Sequence, residues 1–302
     1  MSLFTSAFWE WYVGIITIVS IFACFGIIWW LSGGEGPKKG EEAKPVGHIW
    51  DENLQELNNP LPSWWKNMFY ITLVFSIIYL ILYPGLGFYD GLKGWTEVGQ
   101  YEEEVKAADE KFGPLYAGFA KQSIKALGSD KKAMKVGERL YLTYCTACHG
   151  SDAGGVPGFP NLRDNAWLWG GEPEQIKATI LNGRTGVMPA WEAPLGGAQG
   201  VHEVAQYVLS LSERPGLNAA AVEAGKQKFM TFCAGCHMPT GTGNTALGAP
   251  NLTDNIWLYG GHAKTIEETI AKGRNGIMPP HKEFLGEEKV HVLSAYIYNL
   301  SQ

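Results

Sequence analysis

The chain's 302 residues carry 24 Lys and Arg against 30 Asp and Glu, a formal net charge of −6 at pH 7. No basic patch is available for a nucleic acid, and no nucleophile–base pair or phosphate loop is visible, so neither role has residue support. The modest overall hydropathy conceals two strongly apolar segments in an otherwise polar chain.

From the N-terminus, residues 11–31 form a run without a charged side chain, and residues 67–89 form a second. At about 1.5 Å per residue, each helix would cross an apolar layer about 30 Å thick. Aromatic residues flank both runs: Trp9, Trp11, Tyr12, Trp29 and Trp30, then Trp64, Trp65, Tyr83, Phe88 and Tyr89. No Lys or Arg precedes the first run and its apolar core is too long for a signal peptide, so it reads as a retained anchor. Cys24, the odd one of five cysteines, lies inside it and reads as a small buried apolar residue. The connector, residues 32–66, holds Lys38, Lys39, Lys44 and Lys66, whereas the N-terminal tail holds no basic residue. Only Lys93 follows the second run before a series of acids. The positive-inside rule therefore predicts a cytoplasmic connector and periplasmic termini. Residues 1–94 read as a membrane anchor, and residues 95–133, with Glu102, Glu103 and Glu104, as a charged helical tether.

Two pentapeptides follow: Cys145-Thr146-Ala147-Cys148-His149 and Cys233-Ala234-Gly235-Cys236-His237. C-x-x-C-H is the attachment signature of a c-type haem. Two thiols bond one porphyrin, and the adjacent histidine is its proximal iron ligand. Cys145, Cys148 and His149 are thus assigned to one covalent haem c, and Cys233, Cys236 and His237 to a second. Four thiols are consumed, and no disulfide is implied. Both motifs sit in a longer internal repeat, with units at about 134–215 and 216–302. Gly137-Glu138-Arg139-Leu140-Tyr141 matches Gly225-Lys226-Gln227-Lys228-Phe229. Pro160-Asn161-Leu162 through Trp167-Leu168-Trp169-Gly170-Gly171 matches Pro250-Asn251-Leu252 through Trp257-Leu258-Tyr259-Gly260-Gly261. Gly183-Arg184-Thr185-Gly186-Val187-Met188-Pro189 matches Gly273-Arg274-Asn275-Gly276-Ile277-Met278-Pro279. Each unit closes on a helix-like run.

Each unit resembles a class I cytochrome c domain, in the order helix, C-x-x-C-H, Pro-x-Leu loop, short helices, methionine loop and C-terminal helix. The expected fold is all-α: two N-terminal transmembrane helices followed by two tandem class I cytochrome c domains. The resemblance implies Met188 as sixth ligand in the first unit and Met278 in the second. A His/Met pair raises the reduction potential, which suits an electron carrier. The resemblance further implies that His149 and His237 donate their other ring N–H to the carbonyls of Pro160 and Pro250. Arg184 and Arg274 are candidates for holding haem propionates or for solubility alone, and Trp167 and Trp257 for pocket walls or plain packing. Met134, Met230 and Met238 have no counterpart in the other unit, and His202, His262 and His291 read as surface or helix-face residues. His281, three positions past Met278, reads the same way, with a substitute ligand at altered pH as the alternative.

The whole chain resembles the dihaem subunit of cbb3-type cytochrome c oxidases. Besides the haem units, the connector segment Asn58-Asn59-Pro60-Leu61-Pro62-Ser63-Trp64-Trp65 and the tether segment Gly94-Trp95-Thr96-Glu97-Val98-Gly99-Gln100-Tyr101 carry that resemblance. It implies a non-catalytic electron-transfer subunit in a bacterial inner-membrane oxidase. Electrons would pass from a donor cytochrome c through both haems to a monohaem cytochrome c subunit and the catalytic haem–copper subunit. The partners implied are the membrane, those subunits and the donor, with no nucleic acid. One alternative is a membrane-anchored dihaem cytochrome of a periplasmic dehydrogenase or quinol-oxidising complex, which shares the haem units but not the connector and tether. Another is a dihaem peroxidase, which needs a haem with an open sixth position. The charge argument has a direct test: a reporter active only in the cytoplasm should work when inserted near Gly40 and fail after Gln302, and the reverse pattern would overturn it.

Overall fold

A computed structural model describes residues 6–33, 37 and 41–302. Lys38 and Lys39, part of the topology argument, and the Gly40 insertion point lie outside the described residues. The chain divides into two compact units, Met1–Asp109 and Glu110–Gln302.

In the first unit, α1 (Ala7–Ser32) and α2 (Ser63–Leu82) are long and apolar enough to cross a membrane. Their apolar side chains are largely uncovered, Trp29 and Trp30 at 76% exposure each, the opposite of a soluble core helix. Between them β1 (Pro45–Trp50) and β2 (Leu54–Leu57) pair antiparallel around Asp51 and Glu52, both at positive φ. The second apolar run, 67–89, is helical only as far as Leu82. Pro84 disfavours the helical region for the residue before it, and Tyr83 is extended at φ −120, ψ 155. The chain then folds back. The N–H groups of Leu92 and Lys93 bond the carbonyls of Ile81 and Leu82, which a helix end would otherwise leave unmet. Phe88 stacks on Trp11 with centroids 4.5 Å apart, and Gly14 makes room for it, since a Cβ there would stand 2.1 Å from the Phe88 ring.

The tether is helical as α3 (Glu97–Ala120), which begins in the first unit's residues and ends in the second's. The rest of the second unit runs α4 (Ile124–Leu127), α5 (Lys131–Tyr144), α6 (Thr146–His149), α7 (Pro173–Asn182), β3 (Arg184–Met188) and α8 (Ala198–Leu211). The second repeat follows as α9 (Ala219–Phe232), α10 (Ala234–His237), α11 (Ala263–Lys272), β4 (Arg274–Met278) and α12 (Lys282–Leu300). Among the described residues the chain is helical as read, with two short antiparallel ladders added. Both repeats open on a capped helix: Asp130 Oδ1 accepts from the N–H of Lys132 and Ala133, and Asn218 Oδ1 from that of Ala221.

The two repeats do not fold side by side as separate domains. α8, which closes the first repeat, packs on α9 and α11 of the second, and α12 packs on α5 and α7 of the first and on α4 of the segment before it. One core joins Val201, Val204, Ala205 and Val208 to Phe229, Ile266 and Ile270. The other joins Val290, Leu293 and Ile297 to Tyr141, Ile176 and Ile180. The boundary at 215/216 therefore separates sequence repeats, whereas the spatial lobes exchange their last helices. The exchange happens at a ladder. β3 and β4 pair antiparallel with Gly186 opposite Gly276, Arg184 opposite Met278 and Met188 opposite Arg274. α7 and α11 end at Gly183 and Gly273, at φ +68 and +73, and a Cβ at either would meet the carbonyl oxygen of Met278 or Met188 at 2.4 and 2.3 Å. Only glycine combines that φ with so close a backbone approach.

Glycine also sets the helix crossings. A Cβ on Gly137 would lie 2.5 Å from Tyr296 Cβ, and one on Gly225 would lie 1.9 Å from the Glu203 carbonyl oxygen. Gly225→Ala should therefore destabilise the second unit by about 1–3 kcal/mol through overpacking. Gly118→Ala, in a helix where nothing stands within 4 Å, should be neutral or slightly stabilising. Thermal unfolding of the purified chain followed by circular dichroism separates the two, and equal melting would refute the close crossing.

Candidate functional site

α5 and α9 run directly into the two cysteine motifs. The N–H groups of Cys145 and Cys233 still bond the carbonyls of Tyr141 and Phe229, ending each helix at the first cysteine. A single turn, α6 or α10, then carries the second cysteine and the histidine, with His149 N–H on Cys145 O at 2.9 Å and His237 N–H on Cys233 O at 3.0 Å. All five cysteines are free. Burial, with a smaller push from the neighbouring thiol, raises Cys145 and Cys233 to about 11.

The histidine rings are fixed by the prolines that the class I resemblance named. His149 Nδ1 lies 2.9 Å from Pro160 O, and His237 Nδ1 lies 3.2 Å from Pro250 O. A carbonyl oxygen only accepts, so each Nδ1 carries the proton and each Nε2 keeps its lone pair. Burial lowers both imidazole pKa values, partly opposed by the proline carbonyls, so the rings stay neutral and able to bind a metal. The turn back to each proline is closed by Gly155 N–H on His149 O at 2.9 Å and Gly243 N–H on His237 O at 3.0 Å.

The methionines depart from sequence order. Met188 packs in the core that holds Phe229, Cys233, Leu252 and Trp257, beside the second motif. Met278 packs in the core that holds Tyr141, Cys145, Leu162 and Trp167, beside the first. Met188 and Met278 thus each pack beside the motif of the other repeat, because the ladder carries each strand's last residue into the opposite lobe. Backbone bonds just beyond the strands hold the crossing, Trp191 N–H to Ile270 O and His281 N–H to Ile180 O, both at 3.0 Å.

Cys145, Cys148, His149, Met188, Cys233, Cys236, His237 and Met278 all line one mainly apolar cavity of about 760 Å³. An apolar, planar group with polar edges fits this lining. Trp257 Nε1 is buried on the cavity wall without a hydrogen-bond partner, a state that costs about 1–3 kcal/mol unless an acceptor arrives. Trp167 and Trp257 rest on Gly171 and Gly261, where a Cβ would press into the indole at 2.4 and 2.6 Å. Arg184 Nε donates to Thr179 Oγ1 at 2.9 Å, and Arg274 donates to Thr269 Oγ1 from Nε at 3.0 Å and Nη2 at 2.7 Å. Both arginines line the cavity, with guanidinium donors beyond those given to the threonines.

The remaining histidines divide. His202 bonds Glu267 at 2.8 Å across α8 and α11. His262 precedes α11. His291, expected at a surface or helix face, is buried, with Nε2 2.8 Å from the Gln122 carbonyl. His281 lines the cavity, with Nδ1 2.8 Å from Pro279 O. Sequence reasoning passed over Trp169 and Tyr259, which occupy matched repeat positions and lie under Arg184 and Arg274 at 5.0 and 4.5 Å. That matched aromatic pair was the available signal.

The profile of the family described as "Cytochrome C oxidase, cbb3-type, subunit III" matches residues 132–208 and 220–297. That described as "N-terminal domain of cytochrome oxidase-cbb3, FixP" matches residues 42–90. The chain is 47% identical to the "Cbb3-type cytochrome c oxidase subunit CcoP" of Rubrivivax gelatinosus, over 100% of this chain and 98% of the relative. It is 38% identical to the FixP subunit of Bradyrhizobium sp. (strain ORS 278), over 84% of this chain and 93% of that protein. It is 35% identical to the CcoP subunit of Cereibacter sphaeroides, over 87% and 97%.

Proposed function

The chain belongs to the cbb3-type cytochrome c oxidase subunit III family, and we propose that it relays electrons within such an oxidase through two covalently bound haems c. The observation that carries this reading is the joint lining of one apolar cavity by two C-x-x-C-H turns and two methionines. When bound, the haems supply reversible one-electron chemistry. The chain's residues hold and tune them. Cys145 and Cys148 would hold one haem through thioethers, and Cys233 and Cys236 the other. His149 and His237 present Nε2 to iron, because the Pro160 and Pro250 carbonyls keep the proton on Nδ1. Met278 completes the site of His149, and Met188 that of His237, following the packing. Arg184, Arg274 and Trp257 Nε1 supply donors for the propionate edges. With a histidine and a methionine available to each iron, neither haem would keep a position open for substrate, which supports a relay rather than a catalyst.

α1 and α2 anchor the chain, and the connector's lysines favour its placement in the cytoplasm, with the haem sites in the periplasm. Family membership supports a donor cytochrome c on one side and, on the other, a monohaem subunit and the haem–copper subunit. The alternative dihaem cytochrome of a dehydrogenase or quinol-oxidising complex is disfavoured, because the N-terminal profile spans the connector and second helix.

Purified in detergent, the full chain should hold two covalent haems, both low-spin when oxidised, and should consume neither oxygen nor peroxide at a useful rate. Magnetic-resonance spectra test the ligands. In a chain carrying Cys233→Ser and Cys236→Ser, which keeps only the haem on His149, Met278→Ala should turn that haem high-spin while Met188→Ala leaves it low-spin. The opposite result would restore the pairing read from sequence order, and rapid peroxide reduction by the unmodified chain would defeat the relay reading.

A further inference from the structure

Trp169 and Tyr259, besides lying under Arg184 and Arg274, each reach across the repeat boundary. The Trp169 ring presses on Gly248, where a Cβ would stand 2.3 Å from it. Gly248 lies two residues before Pro250, the carbonyl that holds His237. Tyr259 meets the corresponding glycine of the first repeat: a Cβ on Gly158 would touch its ring at 3.6 Å. Gly158 lies two residues before Pro160, the carbonyl that holds His149. Both glycines have positive φ, +68 and +92, so their loops are tight reversals with little slack.

The two contacts are not equivalent. The first loop closes directly, with Val156 bridged to Phe159. Its tip is also tied across the boundary by Gly158 N–H to Leu258 O at 2.8 Å. The second loop is longer, with Asn244 bridged to Ala249. The N–H groups of Leu247 and Ala249 turn inward to Asn244 O, so its tip rests on the larger ring, Trp169. His149 sits 2.9 Å from its proline oxygen and His237 3.2 Å from its own.

We propose that Trp169 and Tyr259 are reciprocal positioning residues: each buttresses the loop that orients the proximal histidine of the other repeat, and so sets the other repeat's haem potential. The proposal rests on the dihaem reading above. The physical link is the Nδ1–H to carbonyl bond, which controls the basicity of a ligating imidazole and hence the balance of ferric and ferrous iron. Slackening a loop weakens that bond, lowers the ligand's basicity and favours the ferrous state. The buttressing is crossed, so a substitution in one repeat acts on the haem attached in the other. The extra Gly158–Leu258 bond makes the His149 site less dependent on its ring than the His237 site.

Optical redox titration of the full haem-loaded chain in detergent tests this. The haems are assigned by which potential vanishes in a Cys145→Ser, Cys148→Ser chain. Trp169→Leu should raise the reduced-to-oxidised ratio of the haem on His237 at least threefold at fixed ambient potential, leaving that on His149 within error. Tyr259→Leu should move the haem on His149 in the same sense by a smaller factor. Gly248→Ala, which drives a methyl into the indole, should disturb the magnetic-resonance signal of the His237 haem alone and serves if Trp169→Leu does not fold. A shift confined to the haem of the substituted repeat, an equal shift in both, or none would overturn the proposal. Failure of the dihaem reading would be visible separately, as fewer than two covalent haems on the denatured, unsubstituted chain.

Discussion

The pairing of β3 with β4 is the constraint from which the rest of the second unit follows. Each strand is five residues long, too short to persist alone, and each carries backbone donors and acceptors that need partners. Having come from a repeat, the two strands are near-copies and satisfy one another around Gly186 and Gly276. Antiparallel pairing then sends each chain end into the opposite lobe. α8 and α12 can only close the core they arrive at, which is the other repeat's. Neither repeat has a complete core without its twin.

Close backbone approach is the price of that arrangement, and glycines sit where it is steepest. Gly183 and Gly273 let the two methionine carbonyls pass, and Gly137 and Gly225 let the exchanged helices touch their new neighbours. These positions recur in both repeats because the same contact occurs twice, related by the ladder's approximate two-fold symmetry. That symmetry is broken where the loop before Pro250 is longer than the loop before Pro160, and where Tyr259 stands in place of a second tryptophan. Two sites built from one pattern can thereby differ in how firmly the histidine of each motif is held.

The shared cavity explains how such small helical lobes stay folded. Around it stand Tyr144, Phe159, Phe232 and Trp257, an aromatic lining that needs a large flat apolar occupant to complete the packing. Helices and a covalently held group together make a core that about 80 residues of polypeptide would supply poorly. In the first unit the logic is reversed. α1 and α2 leave their apolar faces open because their solvent is lipid, and the loop after Leu82 supplies the helix-end partners that water would provide elsewhere.

Local patterns were enough for much of this. The C-x-x-C-H turns, the proline carbonyls behind His149 and His237, the two apolar spans and the repeat itself depend on residues near one another in the chain. Their geometry follows from short-range hydrogen bonding and side-chain type. Pro84 too is legible, and it ends the second helix at Leu82, inside the apolar run of residues 67–89. What only tertiary structure decided is partnership: which repeat receives α8 and α12, which cysteine motif each methionine packs beside, and which loop Trp169 and Tyr259 touch. Two near-identical repeats offer near-identical local signals, so closing each repeat on itself or on its twin satisfies the same pattern. The choice rests on the direction in which a five-residue ladder crosses, a non-local pairing that no stretch of sequence records alone.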